Sequence, residues 1–320
     1  MVREMYDYII VGGGIYGRLI AYKLTKEKYK IMLVDKKDLS KGYKLNYMII
    51  TNYSYNFLCN MIDTDIDSFI VKNINSITIN NKDYKTNRYV LNIKKLNEYL
   101  LNNIKNSKNR ILSKSVIDKY GFKNNELVIN NKKYKYKYLI GADGTLSEVR
   151  MNKTRKIQRF NVAAYIKYKK NNDNIMVKYN SSNKLYEEII PVRTNNIIRI
   201  VNNKRKNNIF KELNNIKNNY NISSKCVDTY LIPRGDVLIK DDNIYFIGDA
   251  SGMINPFNNL SMDYNLEIIS KFPNINNKDI KKIKKDIRIK LVVSKLIYLP
   301  IIKKLVFKLI KKICKEENLC

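Results

Sequence analysis

The chain has 320 residues, 44% of them apolar, and carries a formal charge of +32 with no histidine. That length allows one large domain or two sharing a cleft, while the missing histidine excludes a Ser-His-Asp triad, a His base and any His-ligated metal. The cysteines Cys59, Cys226, Cys314 and Cys320 form no C-x-x-C or Cys/His cluster, which argues against a structural zinc, and no metal is expected.

The positive charge accompanies an abundance of Asn, Ile and Tyr along the whole sequence, so it reads as a compositional bias and no nucleic-acid partner is expected. No run reaches the roughly 18 uninterrupted apolar residues of a membrane span, and the first residues lack a charged-then-apolar signal design. A cytoplasmic protein is the expectation.

In chain order, Asp7 to Val11 predicts a buried strand, followed by the turn Gly12-Gly13-Gly14-Ile15-Tyr16-Gly17 and a helix over Arg18 to Thr25. Ile31 to Val34 predicts a second strand that ends at Asp35. From Lys36 to about Asn87 the pattern is irregular, with short β-like pieces such as Ser76 to Asn80. Leu91 to Ile104 has helical periodicity, and Tyr136 to Ile140 is a strand leading into Gly141-Ala142-Asp143-Gly144. Val162 to Val201 alternates β-branched and aromatic segments with Asn-rich turns, as a sheet does. Ile244 to Ile247 is again a buried strand, and it leads into Gly248-Asp249-Ala250-Ser251-Gly252.

From Lys278 onward stand 14 Lys/Arg and 4 acidic residues, a net of +10. Within this tail Ile301, Ile302, Leu305, Val306, Leu309, Ile310 and Ile313 share one helical face and Lys303, Lys304, Lys308, Lys311 and Lys312 the other, with Pro300 set to kink or restart the helix. A helix packed on the core with a solvated lysine face and a helix docked on a membrane surface are equally open.

The spacing G-x-G-x-x-G at Gly12, Gly14 and Gly17 is the most informative local pattern. In a strand-turn-helix context the first glycine makes the tight turn, the second lets the backbone approach a pyrophosphate at the helix N-terminus, and the third allows close helix packing. Asp35, 23 positions after Gly12, ends the next strand where a carboxylate accepts from an adenosine ribose.

Two further runs carry a family resemblance. Tyr138 to Arg150, with Gly141-Ala142-Asp143-Gly144 and Ser147-Glu148-Val149-Arg150, is similar to the motif G-A-D-G-x-x-S-x-V-R of the flavin-dependent hydroxylases and geranylgeranyl reductases. Ile244 to Pro256 resembles the second FAD signature of that family, G-D-A-A-G-x-x-x-P. The resemblance implies FAD as cofactor, Asp143 and Gly144 near its pyrophosphate, Asp249 bonded to its ribityl chain, and the backbone after Pro256 facing its ring. The implied FAD residues are therefore Gly12, Gly14, Gly17, Asp35, Asp143, Gly144, Gly248, Asp249, Ala250, Gly252, Pro256 and Asn259. A helix starting after this last motif would direct its amides and dipole at the reduced ring.

The chain departs from the family pattern at several places. Asn259 and Ser261 stand where glycines are usual, and Asn tolerates a left-handed backbone. Ile93 stands where an arginine is common, with Lys94 and Lys95 as candidate substitutes. No cysteine-glycine pair lies around Gly42 to Met48, and Cys59 is expected to be buried. Leu185-Tyr186 to Pro191 faintly resembles the aromatic-proline strand that lines the substrate cavity of the reductases, although core packing is the commoner role for such an aromatic.

The implied fold is α/β: a Rossmann-like FAD-binding domain of the glutathione-reductase type (residues 1–50, 85–160 and 237–275), an inserted mixed β-sheet substrate domain (51–84 and 161–236) and a basic helical tail (276–320). The implied activity is FAD-dependent reduction of carbon-carbon double bonds in a polyprenyl group, such as a geranylgeranyl lipid precursor at a membrane. Electrons would come from NAD(P)H or a reduced carrier, and no catalytic residue is assigned. Two alternatives stand beside it: an FAD-dependent monooxygenase of a small aromatic or similar substrate, and a non-catalytic flavin-binding relative.

Overall fold

The computed structural model describes residues 4–296 apart from 42–45, 106, 108, 170–171, 181–184, 194, 203–208, 224–226 and 235. The amphipathic run from Ile301 lies outside the described residues.

The chain opens with β1 (Met5–Val11), α1 (Ile15–Lys26) and β2 (Ile31–Val34), a parallel βαβ unit in which Val11 pairs with Val34. Next come β3 (Tyr47–Thr51), α2 (Asn52–Met61), the long hairpin β4 (Ile70–Ile79) and β5 (Lys82–Asn92), then α3 (Ile93–Lys105) and β6 (Arg110–Leu112). The hairpin β7 (Ile117–Gly121) and β8 (Glu126–Ile129) leads into β9 (Lys132–Gly141) and the short α4 (Glu148–Thr154). The middle of the chain forms β10 (Phe160–Tyr168), β11 (Ile175–Asn180), β12 (Leu185–Val192), β13 (Asn195–Asn202), α5 (Ile209–Asn219) and β14 (Val227–Pro233). The chain then closes with β15 (Lys240–Asp241), β16 (Ile244–Phe246), α6 (Met262–Lys271) and α7 (Asn277–Leu296).

The described residues form two eight-stranded sheets. The first has the order β15-β16-β9-β1-β2-β6, with β7 and β8 attached through β9; β16, β9, β1, β2 and β6 run parallel. Parallel strands covered on both faces read as unbroken apolar runs, which is why Ile-Met-Leu-Val in β2 is buried throughout. The period of two then divides the core: Tyr8 and Ile10 face α1, α3 and α6, whereas Ile9 and Val11 face Leu127, Ile129 and Val149. The second sheet has the order β14-β10-β13-β12-β11-β4-β5-β3 and is mixed, since β11 meets β4 in parallel while the other pairs are antiparallel. Its outer face packs Ala164, Ile198 and Ile200 on Ile209, Leu213 and Ile216 of α5.

Two expectations are corrected here. Lys36 to Asn87 is not irregular, because it holds β3, α2, β4 and most of β5. The exposed positions of β4 and β5 are Asn, Lys and Asp, and within β4 only Ile74 and Ile77 are buried, so the alternation is diluted beyond recognition. Cys59 is exposed, not buried: α2 buries Ser54 and Leu58, and the next position turns about 100° away from that face.

The described part of the basic tail is α7. Ile280, Ile283 and Ile287 enter the main core while Lys281, Lys282 and Lys285 face outward, so residues 277–296 form a packed helix with a solvated lysine face. No helix among the described residues is long and apolar enough to cross a membrane.

Candidate functional site

The three glycine-bearing turns meet because of strand register. Val11 pairs with Gly141 and Gly141 with Phe246, all in parallel strands, so the segments following β1, β9 and β16 emerge side by side at the carboxyl edge of the first sheet. In open α/β sheets this edge is where ligands bind.

In the first turn, Gly12 has φ +105°, and a Cβ there would stand 2.3 Å from the Ala142 carbonyl oxygen. A Cβ on Gly17 would reach 1.8 Å from the Gly12 carbonyl oxygen, so α1 is pressed directly onto the turn. Gly14, which precedes α1, has no atom within 4 Å of its would-be Cβ and faces open space where the first helical amides lack partners. The Asp35 carboxylate braces this turn: Oδ2 accepts from the Gly13 amide at 2.6 Å and Oδ1 from the Lys37 amide at 2.7 Å. Four lone-pair sites leave such a carboxylate capacity for further donors. Arg18, only 1% exposed, donates to the carbonyls of Gly13 (2.7 Å), Asn97 (2.7 Å) and Leu39 (2.8 Å) and so ties the turn to α3.

In the second turn, Asp143 Oδ2 accepts from the Val149 amide at 3.2 Å, while Oδ1 is buried with no close partner among the described residues. Burial pushes this carboxyl above the usual range. Ser147 caps α4, accepting from the Arg150 amide at 3.0 Å. The Arg150 side chain then holds the third turn, donating to the Ala250 carbonyl (3.0 Å), Gln158 Oε1 (2.7 Å) and the Asp236 carbonyl (2.6 Å). Gln158 in turn donates to the Asp249 carbonyl at 3.0 Å.

In the third turn, burial pushes the Asp249 carboxyl up to about 6, against the opposing hydrogen bonds of Ser261 and Thr145. Asn265 staples the turn to α6: its Oδ1 accepts from the Gly248 amide at 2.5 Å and its Nδ2 donates to the Ser261 carbonyl at 2.7 Å. Asn259 is left-handed with φ +55°, the conformation that a glycine would supply. The Ser261 hydroxyl is engaged with the Tyr16 hydroxyl at 2.7 Å.

Two cavities border these turns. One, of about 240 Å³, is lined by Gly12, Gly14, Asp35, Lys36, Asp143 and Gly144 among others. The second, of about 260 Å³, lies between the sheets and is lined by Gly14, Gly144, Asp249, Asn259 and Ser261 on one side and Tyr165, Ile190, Arg199, Tyr230 and Ile232 on the other. Both include Gly14, Ala142 and Gly144, so they adjoin along these residues and are together termed the groove. Gly17, Gly248, Ala250, Gly252 and Pro256 line neither cavity, and Gly17 and Gly248 act behind the surface through helix packing and the Asn265 staple.

Neither proposed arginine substitute reaches the groove. Ile93 lines the inter-sheet cavity, but Lys94 is exposed and Lys95 donates to the Ser68 carbonyl at 2.8 Å, because consecutive helix positions diverge. On β12, Tyr186 belongs to the core and Ile190 lines the cavity. Arg18, Arg150, Gln158, Asn265 and Arg199 escaped the sequence reading, since a single polar residue carries no spacing signal. Only Arg150 lay within a recognised motif.

Compared by sequence, the chain matches no family model and no curated protein. Solved structures do match its fold. PqsL of Pseudomonas aeruginosa, described as a probable FAD-dependent monooxygenase, superposes with a TM-score of 0.72 at 11% identity over 92% of this chain and 96% of that one. Its fold is the fold of this chain. A geranylgeranyl bacteriochlorophyll reductase-like protein of Thermoplasma acidophilum gives 0.71 at 17% identity, covering 92% and 87%. A flavin-dependent halogenase of Xanthomonas campestris gives 0.68 at 10% identity, covering 92% and 76%. The architecture of this chain is a parallel sheet with a second, mixed sheet facing its carboxyl edge.

Proposed function

We propose that this chain is an FAD-dependent oxidoreductase. The observation that carries the reading is the groove along three adjacent turns, open at Gly14 and Gly144, with Asp35 toward one end and Asp249 and the N-terminus of α6 toward the other. The residues present fit the group. Side chains are absent where a pyrophosphate needs room, Asp143 Oδ1, with no close partner among the described residues, lies beside that room, and Asp35 and Asp249 are placed for ribose and ribityl hydroxyls. FAD would supply hydride or oxygen chemistry, and the chain supplies binding, orientation and a shielded cavity.

The cavity favours a monooxygenase acting on a polar or aromatic substrate, since the buried Arg199 guanidinium and the rings of Tyr16, Tyr47, Tyr165 and Tyr230 line it. Reduction of a polyprenyl group is the second reading, favoured by the apolar wall of Met48, Ile49, Ile93, Ile254 and Leu260. NAD(P)H or a reduced carrier is the proposed electron source for either, and a membrane surface is a proposed partner for the second.

The test is spectroscopic. The purified chain, supplied with FAD and reduced anaerobically, is exposed first to a geranylgeranyl lipid and then to oxygen. Reoxidation by the lipid selects the reductase, and reoxidation by oxygen alone favours the monooxygenase. A folded protein that takes up no FAD contradicts both.

A further inference from the structure

The two faces of the second sheet differ in a way that packing does not require. On the outer face β10, β12 and β13 present Ala164, Ile166, Ile189, Ile198 and Ile200, covered in part by α5, and the half-buried Glu187, which accepts from the Tyr220 hydroxyl. On the inner face the same strands place Glu188, Arg199 and Tyr165 as direct cross-strand partners, since Arg199 pairs with Glu188 across β12–β13 and with Tyr165 across β10–β13. Tyr230, on β14, stacks its ring on Tyr165 with centroids 4.6 Å apart and planes at 20°.

Arg199 and Glu188 are 3% and 0% exposed and form an ion pair at 2.5 Å. A buried pair is costly to desolvate, and apolar residues of similar volume often serve stability as well or better. Part of the arginine has a structural use: its terminal nitrogens donate to the Asn258 carbonyl at 2.6 Å and the Asn259 carbonyl at 3.4 Å, which fixes the loop before α6. That use leaves Arg199 Nε without a hydrogen-bond partner among the described residues, and the Tyr230 hydroxyl faces Tyr165 and Arg199. Both residues line the inter-sheet cavity together with Tyr165. Buried donors without acceptors are rare in a settled core and call for an acceptor that arrives with a ligand.

The surroundings define that acceptor. Glu188 already neutralises Arg199, so a substrate carboxylate would place a second negative charge beside Glu188, while a neutral oxygen would not. Burial holds both phenols well on the protonated side, where they donate. The rings of Tyr165 and Tyr230, with Ile190 and Ile232, line the cavity with aromatic and apolar surface on which a planar conjugated system packs favourably.

We propose that Arg199, Tyr165 and Tyr230 form a recognition site for a planar conjugated substrate bearing a neutral carbonyl oxygen. The proposal rests on the flavoenzyme reading in that it places this substrate in the same groove. A hydrocarbon chain would leave Arg199 Nε unsatisfied, and a carboxylate would meet Glu188.

The test titrates the full chain calorimetrically, with and without FAD, using 2-acetylnaphthalene, 2-isopropylnaphthalene, 2-naphthoate and geranylgeraniol. The ketone is expected to bind about tenfold more tightly than each of the others. Tyr230→Phe keeps the ring and its stacking and should reduce the ketone to the affinity of the hydrocarbon with FAD uptake unchanged. A double Glu188→Leu, Arg199→Met variant, which avoids stranding a buried charge, should also lose the preference. The proposal is overturned if the ketone does not bind, if any of the other three probes equals or exceeds it, or if Tyr230→Phe retains the preference. Failure of FAD uptake alone contradicts the flavoenzyme reading, whereas the ketone preference measured without FAD still decides this one.

Discussion

The two ends of the groove are built by different means. Around Gly12, Gly14 and Asp143 the surface is backbone and short side chains, arranged by three parallel strands that end together. Around Arg199 it is made of large side chains brought from four strands of another sheet. The first design suits a ligand whose shape never varies, because amides and open space recognise a pyrophosphate whatever lies beyond it. The second can be retuned one residue at a time, which is why the proposed substrate site is placed there.

The contrast breaks most sharply at Gly17. Gly17→Val should cost about 3 kcal/mol or more, since its Cβ would overlap the Gly12 carbonyl oxygen and rigid backbone cannot yield. Urea unfolding measures this, and an unchanged midpoint would show that α1 moves freely on the turn. Arg150→Met comes next, with an expected loss of about 2–3 kcal/mol because the Ala250 and Asp236 carbonyls lose a charged donor. It should also weaken FAD retention by loosening the third turn, seen as a lower ratio of flavin to protein absorbance.

Asp249 gives a pH signature. Its carboxyl is raised from 3.8 to about 6, so the folded chain holds a proton that the unfolded chain releases, and stability contributed by this group is present below about pH 4 and falls as pH rises through 6. Asp249→Asn should therefore raise the urea midpoint at neutral pH, by on the order of 1 kcal/mol after solvent screening, and flatten the pH dependence between those values. The same variant should retain FAD less well. A wild-type pH profile retained in Asp249→Asn would mean that another group titrates there.

Gly14→Ala should have the smallest effect on the fold and sharpens the comparison with Gly17. Its Cβ meets nothing in the protein, so stability should fall by no more than about 1 kcal/mol, roughly the cost of replacing glycine by alanine at a helix N-cap, while FAD affinity falls. Equal losses of stability at Gly14 and Gly17 would contradict the division of labour between them.

The same contrast explains what could be read from the amino acids alone. The nucleotide end follows contiguous rules, in which glycine spacing, an acid at a strand end and unbroken apolar runs are local properties of short segments. Even the substitution Asn259 for glycine is readable, because asparagine shares the left-handed backbone found there. Arg199 and Glu188 have no such trace: they are 11 positions apart, and their meeting depends on the register of β12 against β13. Arg18 hides among the buried apolar residues of α1, and the β4–β5 hairpin hides behind its polar outer face. Lys94 and Lys95 show the converse error, in which residues adjacent in sequence to a cavity position point away from it.

The most direct test of the central claim is equilibrium titration of the full chain with FAD, followed by the flavin absorbance bands. The account predicts saturable uptake of one FAD per chain, weakened in Gly14→Ala and Asp249→Asn while both variants remain folded. A folded wild-type chain that binds no FAD, or variants that bind it as well as the wild type, would contradict it.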